Sequence, residues 1–579
     1  MLLRARFVLA VLAPAAFAPF AAAQAPTANA YVQHNLVSDI PGMADVTDAN
    51  LVDPWGLSIS TTSPFWVSNA GKGVSTLYNG SGTITPLVVT IASAPNGPTP
   101  SKPTGQVFNS TSGFILANGN KASFIFDGLD GTITAWNGGA TAAVMVDNSA
   151  SASYTGLAIG SNSSGPLLYA ANFKTGKIDV FDGKFAPATV AGGFVDSAIP
   201  SGYGPFNIWN LGGKLYVTYA AQSAGVGNGY VSVFDMDGNL IKHLVSQGPL
   251  NNPWGVAIAP STFGAFAGAL IVGNFGDGFI NAFDLNTGKA LGTLQDTNGK
   301  PIQIPGLWAL VFGNGKSGGD TNMMYFTAGI NGEKDGLLGS ISPPATVINA
   351  YNAASGATGG IAPGECIFLS GISIGPSPLV SGKFPATGTL ATSLSSTSVT
   401  INGVPAPILY ASASQTAVMV PYEIAGSSTA NIVVTYKDQT TKSFQVPVAT
   451  TAPALFTADS SGSGQAVAFN QDGTLNSSKN PASVGQVVVL IGTGEGVTNP
   501  VLPDGQVISD ILATAQAPVT MTIGGQTAQV IYAGSSPGSI AGVLQVEAIV
   551  PRGAGTGAVP VVLNVGSGTS QKSATISLQ

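Results

Sequence analysis

The sequence predicts an all-β protein: a six-bladed β-propeller followed by two Ig-like β-sandwich domains. Three observations carry this. Charge is scarce, with Asp, Glu, Lys and Arg together at 8% of 579 residues, against an average of about 25%. A segment of roughly 50 residues, built of short strands, recurs six times in the first part of the chain. A different pattern then repeats once, at an offset of about 120 residues.

Composition sets the class and the address. Helical surfaces draw on Glu and Lys, whereas short strands with tight turns draw on Gly, Pro and Asn. Here Gly is 76, Pro is 38 and 44% of residues are apolar. Net charge is −7 with only 20 Lys plus Arg and no basic stripe, so nucleic acid is not an expected partner. Residues 1–23 read as a signal peptide: Arg4 and Arg6, an apolar run from Phe7 to Phe20, then Ala21-Ala22-Ala23. Pro14 and Pro19 break that run, which is short for a membrane span, and no later stretch resembles one. The expected location is secreted, periplasmic or cell-surface. Cys366 is the only cysteine, so no intramolecular disulfide forms, and its apolar strand predicts a buried thiol.

The propeller is predicted over 31–343. An alternating stretch, 31–37, comes first. The six units then open at Trp55-Gly56, Thr104-Gly105, Thr155-Gly156, Phe206-Asn207, Trp254-Gly255 and Leu307-Trp308. Each shows three strands; the first unit, for example, continues through 65–69 and 73–78. A fourth, outer strand is expected in each. A lone blade exposes both faces, whereas a ring buries each blade against two neighbours. The sixth unit ends near Ile341 without an outer strand, so 31–37 is expected to complete it.

The recurring Asn-x-x-x-Gly-x-Ile/Val, with an aromatic two residues on, resembles NHL-type repeats. At a finer level, Asn35-Leu36-Val37-Ser38-Asp39, the stretch Thr47 to Gly56, Gly73 to Tyr78, Asp130-Gly131-Thr132-Ile133 and Asn331 to Gly336 resemble a family of secreted bacterial propellers of unknown function. That family is associated with the PEP-CTERM sorting system. The last residues, Ala574 to Gln579, hold no Pro-Glu-Pro motif, so that route is not expected.

Ser342-Pro343-Pro344 opens a linker. Beyond it, Val399 to Gly403 with Ile408-Leu409-Tyr410 matches Met521 to Gly525 with Val530-Ile531-Tyr532, and Val420-Pro421 matches Val550-Pro551. The expected domains are 347–450 and 451–579. They resemble IPT/TIG-type Ig-like modules and, in tandem, the family called the Solibacter uncharacterised C-terminal domain. Asn352-Ala353-Ala354-Ser355, Ile361 to Glu365, Val420 to Glu423, Asn470 to Asn476 and Asn480-Pro481-Ala482 carry that likeness. It implies no activity.

No complete catalytic set is legible. Gly371-Ile372-Ser373-Ile374-Gly375 fits a nucleophile elbow, but both histidines, His34 and His243, precede it, whereas hydrolases of that fold place His after Ser. Both histidines are expected to be structural. Gly315-Lys316-Ser317 lacks the earlier glycine of a phosphate loop, since position 310 is Leu310. No zinc motif occurs. Calcium is the one cofactor weighed. Six-bladed lactonase-like enzymes hold it with carboxylates and amides at inner-strand starts, here Asp53, Asn207, Asn251 and Asn252. One carboxylate among amides is a poor set for an ion that takes six to eight oxygens. The alternative role of Asp53 and Asn252 is to fix the turn entering the strand. Trp55, Trp254 and Trp308 start first strands, and Asn69, Asn172 and Asn274 end second strands. These six are the candidate ligand-binding residues of one propeller face. The competing reading is that Trp wedges between blades and Asn shapes the turn. Glu333 and Asp335 form an acidic pair in a loop, expected to be solvated.

The functional expectation is an exported, non-enzymatic binding or scaffold protein, its partner an extracellular ligand, glycan or protein. The Ig-like modules would act as spacer or attachment. The alternatives are a calcium-dependent propeller hydrolase or lactonase, and a carbohydrate-binding surface protein.

Overall fold

A computed structural model describes residues 28–95, 97–221, 224–509 and 512–579. The expected signal peptide lies outside them. The described chain is almost entirely β-strand, and its backbone contacts divide it into two compact units, with the division in the chain between Pro343 and Pro344.

The first unit contains six antiparallel sheets in chain order. The first runs Pro54–Ser58, Phe65–Asn69, Val74–Tyr78, Ile84–Ile91, and the second Pro103–Phe108, Phe124–Gly128, Thr132–Trp136, Thr141–Asp147. Their outer strands join through a short parallel pairing, Thr141 with Thr90. The third has only three strands, Tyr154–Asn162, Gly165–Asn172 and Lys177–Asp182, so the fourth strand expected there is absent. In its place a single bridge joins Phe181 to Pro187, where proline cannot donate to a ladder. The fourth sheet is Tyr203–Leu211, Lys214–Ala221, Tyr230–Phe234, Leu240–Ser246; the fifth is Pro253–Ile258, Leu270–Asn274, Ile280–Phe283, Ala290–Thr293. In the sixth, Leu307–Phe312, Met324–Ala328 and Leu337–Ser342 are followed by Val32–Ser38 from the start of the chain, with Val32 opposite Ser342 and Ser38 opposite Leu337.

The first strands of the six sheets pack in cyclic order, sixth against first included, which is a propeller-like topology. Hydrophobic clusters sit between successive sheets. Trp66, Leu77 and Phe124 join first to second, Ile133 and Leu157 second to third, and Tyr169 and Ile208 third to fourth. Val233 and Val256 join fourth to fifth, Ile271 and Leu310 fifth to sixth, and Phe65 and Tyr325 close sixth to first.

Each first strand carries a β-bulge near its start. The register jumps between Pro54 and Leu57, Pro103 and Gln106, Tyr154 and Leu157, Pro205 and Asn207, Pro253 and Gly255, and Leu307 and Leu310. A bulge frees a residue from the ladder and re-aims it. The glycine at this place in four strands has a steric reason. A Cβ on Gly255 would lie 2.5 Å from the Trp308 carbonyl oxygen, and one on Gly105 would lie 2.5 Å from the Leu157 nitrogen. Gly56 and Gly156 face the next first strand in the same way, at Thr104 and Asn207. The Trp-Gly and Thr-Gly pairs therefore mark the places where neighbouring first strands come closest.

The second unit is also all strand. One core gathers Val347, Ile367, Leu369, Val399, Ile408, Val418 and Ile432. Another gathers Leu490, Met521, Val546, Val561 and Ile576. A third spans both, with Cys366, Phe368 and Met419 against Phe456, Phe469 and Ile491. Cys366 is a buried free thiol, and burial raises its pKa. Glu365 is fully buried, pushed up to about 8 by desolvation, and accepts hydrogen bonds from Asn352 Nδ2 (2.7 Å) and the Ala362 amide (2.7 Å). Glu495 is 1% exposed, its two carboxyl oxygens have no partner, and burial pushes it up to about 8.

Two variants test this packing. Gly255→Ala forces two backbones apart and lowers stability by about 1–3 kcal/mol in chemical denaturation. Raised carboxyl pKa values mean that the folded state holds its proton more tightly than the unfolded state. Stability from Glu495 is then full below the ordinary glutamate range and is lost as pH rises through about 8. Glu495→Gln removes that loss, so its stability gains on wild type progressively between about pH 4 and pH 8, read as melting temperatures across that range.

Candidate binding pocket

The bulges place four aromatic side chains on the axis of the ring. Trp55 stacks on Trp308 with ring centroids 3.5 Å apart at 20°. Trp254 meets both edge-on, at 6.3 Å and 5.8 Å. Phe206 holds the equivalent position in the fourth sheet, 5.9 Å from Trp308, and Phe275 stacks on Trp308 at 4.1 Å. Trp55 is 6% exposed, Trp254 and Trp308 1% each. The Trp254 indole N–H donates to the Thr155 carbonyl oxygen in the third sheet (2.8 Å). The tryptophans form a plug; they do not line an open mouth.

The three asparagines are equally buried, at 0% for Asn69, 2% for Asn172 and 0% for Asn274. Asn69 Nδ2 donates to Thr76 Oγ1 (2.8 Å), Asn172 Nδ2 to Asp179 Oδ2 (2.9 Å), and Asn274 Nδ2 to the Pro249 carbonyl oxygen (2.8 Å). Asn69 and Asn172 tie the end of the second strand to the third strand, and Asn274 ties it to the loop before the first. This is the turn-shaping role weighed against binding.

The candidate calcium ligands do not assemble a cation site. Asp53 is held at φ 48° and accepts from the Trp55 indole N–H (3.0 Å). Burial, helped by the Glu333 carboxylate, pushes its pKa up to about 7. Asn207 spends its amide on the Trp254 carbonyl oxygen (2.9 Å) and its oxygen on the Ile208 amide (2.8 Å). Asn252, at φ 46°, keeps one unpaired buried oxygen. Asn251 donates to Asp277 (3.0 Å) and accepts from the Gly225 amide (2.7 Å). Calcium's six to eight oxygens are not met by this set. Among the described residues no group of three or more His, Cys, Asp or Glu is placed to hold a metal.

The open space lies toward the other ends of the first strands. A pocket of about 460 Å³ is lined by five of the six, including Leu57, Ser58, Gln106, Ile159, Trp209 and Val311. That volume is in the range of small-molecule sites. Trp209 in its wall meets Trp254 of the plug edge-on at 6.4 Å. No charged or titratable side chain lines it. Three buried polar atoms of the lining have no partner: Ser58 Oγ, Gln106 Oε1 and Trp209 Nε1. Gln106 is fixed, because its Nε2 donates to the Gly56 carbonyl oxygen (2.8 Å) and the Trp66 carbonyl oxygen (2.5 Å). Two carbonyl acceptors leave the amide one orientation, so Oε1 is held as an acceptor without a partner. An unmade hydrogen bond on a buried group costs about 1–3 kcal/mol, and these three atoms lie just beneath the pocket surface, out of contact with solvent.

Sequence reasoning missed these three. The signal was present: Ser58 ends a first strand with no other polar side chain, and Gln106 is the one amide side chain of its strand. Trp254→Ala empties the plug and is expected to lower stability by about 3–5 kcal/mol, read by urea unfolding.

No family model matches the chain. An uncharacterised protein of Acanthamoeba polyphaga mimivirus is 34% identical over 327 residues, 53% of this chain and 78% of the relative. A second uncharacterised protein of that virus is 33% identical over 335 residues, 53% of this chain and 84% of the relative. Solved structures resemble it at a distance. A protein of unknown function from Bacteroides thetaiotaomicron gives a TM-score of 0.35 at 11% identity, covering 54% of this chain and 76% of that one. A glucose dehydrogenase gives 0.33 at 14%, covering 53% and 98%. A WD40 β-propeller domain gives 0.28 at 11%, covering 54% and 96%. These likenesses say nothing of activity.

Proposed function

Because the chain belongs to the family of these two mimivirus proteins, which are themselves uncharacterised, we propose a function from its own geometry: it is an exported binding protein that takes a small, uncharged, hydroxyl-bearing ligand, such as a sugar, into the pocket of its ring. The carrying observation is the pocket itself, about 460 Å³ with no charged side chain in its lining and three unpaired polar atoms just beneath its surface, Ser58 Oγ, Gln106 Oε1 and Trp209 Nε1. An indole N–H donor, a fixed amide acceptor and a hydroxyl complement a group that both donates and accepts. The apolar wall of Leu57, Ile159 and Val311 suits the carbon face of such a ligand. A lining without a titratable side chain favours binding over acid–base chemistry there, and the commitments of Asp53 and Asn207 favour it over a calcium-dependent lactonase.

In this proposal the six cyclically packed sheets are the blades of a six-bladed propeller, akin to the exported bacterial propellers with NHL-like repeats. The two Ig-like domains, 347–450 and 451–579, serve as spacer or attachment. No helix among the described residues is long and apolar enough to cross a membrane.

The test is a titration of the full-length protein with neutral mono- and disaccharides and their charged counterparts, read by tryptophan fluorescence and calorimetry. Neutral sugars are expected to bind. Ser58→Ala and Trp209→Phe are expected to weaken binding about tenfold each, since each deletes one hydrogen bond. Silence across the neutral panel, or affinity unchanged in both variants, overturns the proposal.

A further inference from the structure

The outermost strand of the fourth sheet, Leu240–Ser246, carries a second constellation. His243 pairs opposite Ser232, whereas Val245 pairs opposite Val231, so Leu244 is an extra residue in a bulge. In a regular strand, residues three apart point to opposite faces. The bulge cancels that offset and brings His243 and Ser246 to the same face. His243 Nε2 lies 2.6 Å from Ser246 Oγ. Its other nitrogen, Nδ1, lies 2.7 Å from Asp196 Oδ2.

Asp196 is well anchored. Its side chain is 2% exposed, its Oδ1 accepts the Ala198 amide (2.9 Å), and its Oδ2 also accepts the Ser232 hydroxyl (2.6 Å). Burial raises this carboxyl, and the bonds from Ser232 and His243 outweigh burial and hold it below the ordinary range. An ionised carboxylate only accepts, so His243 Nδ1 must donate. In the neutral ring, Nε2 is then the acceptor for the Ser246 hydroxyl. Tyr230 packs on the imidazole at 5.8 Å. After Ser246, Gln247 and Gly248 both take positive φ, 54° and 59°, and the chain turns away. Ser246 is left exposed to solvent.

We propose that Ser246, His243 and Asp196 form a nucleophilic site that hydrolyses small carboxylic esters, with Ser246 as nucleophile, His243 as general base and acid, and Asp196 as the positioning residue that fixes the His243 tautomer. Ser246 Oγ bonds to the ester carbonyl carbon as its proton passes to His243 Nε2. The carbon–oxygen bond to the alcohol breaks as His243 returns that proton to the leaving oxygen. Water then attacks the Ser246 ester with His243 again as base, releasing the acid and restoring the hydroxyl. The sum is ester plus water to acid plus alcohol, with no further reactant. The site is separate from the pocket, because Trp209 lies on the innermost strand of this sheet and Ser246 on the outermost.

The experiment treats full-length protein with a fluorophosphonate probe, maps the adduct by peptide mass spectrometry, and measures p-nitrophenyl acetate hydrolysis. Labelling at Ser246 is expected, together with p-nitrophenyl acetate turnover. His243→Gln is expected to lower the labelling rate about 100-fold or more. Asp196→Asn should lower both labelling and turnover about tenfold or more, whereas Asp196→Glu should restore part of both. Circular dichroism checks that each variant is folded. Absence of a Ser246 adduct in the wild type overturns the proposal. So does labelling at an undiminished rate in folded His243→Gln. If a variant fails to fold, the wild-type protein decides: p-nitrophenyl acetate turnover that survives complete labelling of Ser246 overturns it.

Discussion

Close approach of neighbouring first strands is the constraint on which the ring depends. Six strands crowd around one axis, and a side chain at the point of nearest contact would collide with the next backbone. Four of the six place glycine there. The bulge beside it takes one residue out of each ladder and turns it toward the axis or the neighbouring sheet. Side chains then cross between sheets to the backbone carbonyls exposed there: Thr327 Oγ1 to Trp55 (2.6 Å), Thr104 Oγ1 to Tyr154 (2.9 Å) and Asn207 Nδ2 to Trp254 (2.9 Å). A bulge that would weaken a flat sheet becomes the joint between sheets.

The same joint decides where the axis is closed and where it is open. Tryptophan and phenylalanine at the bulge positions fill one stretch of it with stacked rings. Farther along each strand the side chains are smaller or polar, and space remains. A chain with no disulfide therefore seals its centre with aromatic area and keeps a cavity behind that seal. The polar side chains in its wall are few, and Gln106 among them is tied to two carbonyl oxygens of the first sheet.

Much of this was legible in the residues, and the failures have physical causes. Trp55-Gly56 and Trp254-Gly255 announced the repeat because sterics at the joint demand glycine. The expectation that 31–37 completes the sixth sheet rested on a missing partner, and Val32–Ser38 stands there in the observed register. The tryptophans misled on accessibility: a strand start suggests a rim, whereas a bulge swings the side chain inward. Ser58, Gln106 and Trp209 were passed over because a single side chain within a buried strand reads as an ordinary packed group. His243 and Ser246 were beyond reach for another reason. Their spacing of three denies a shared face in any regular strand, and the bulge at Leu244 leaves no mark that a period of two can detect.

The leading strand Val32–Ser38 finds its place only beside Leu337–Ser342. Joining ends separated by roughly 300 residues has an entropic cost of about 5 kcal/mol, which is met only once all the intervening sheets stand in order. Until then the last sheet shows a bare edge of unpaired amides and carbonyls, a template for any extended strand. A second molecule waiting in the same state offers the same strand. Two such chains can exchange their leading segments and finish each other's rings, so fidelity of assembly in this architecture is a contest between a distant strand of the same chain and a near one from a neighbour.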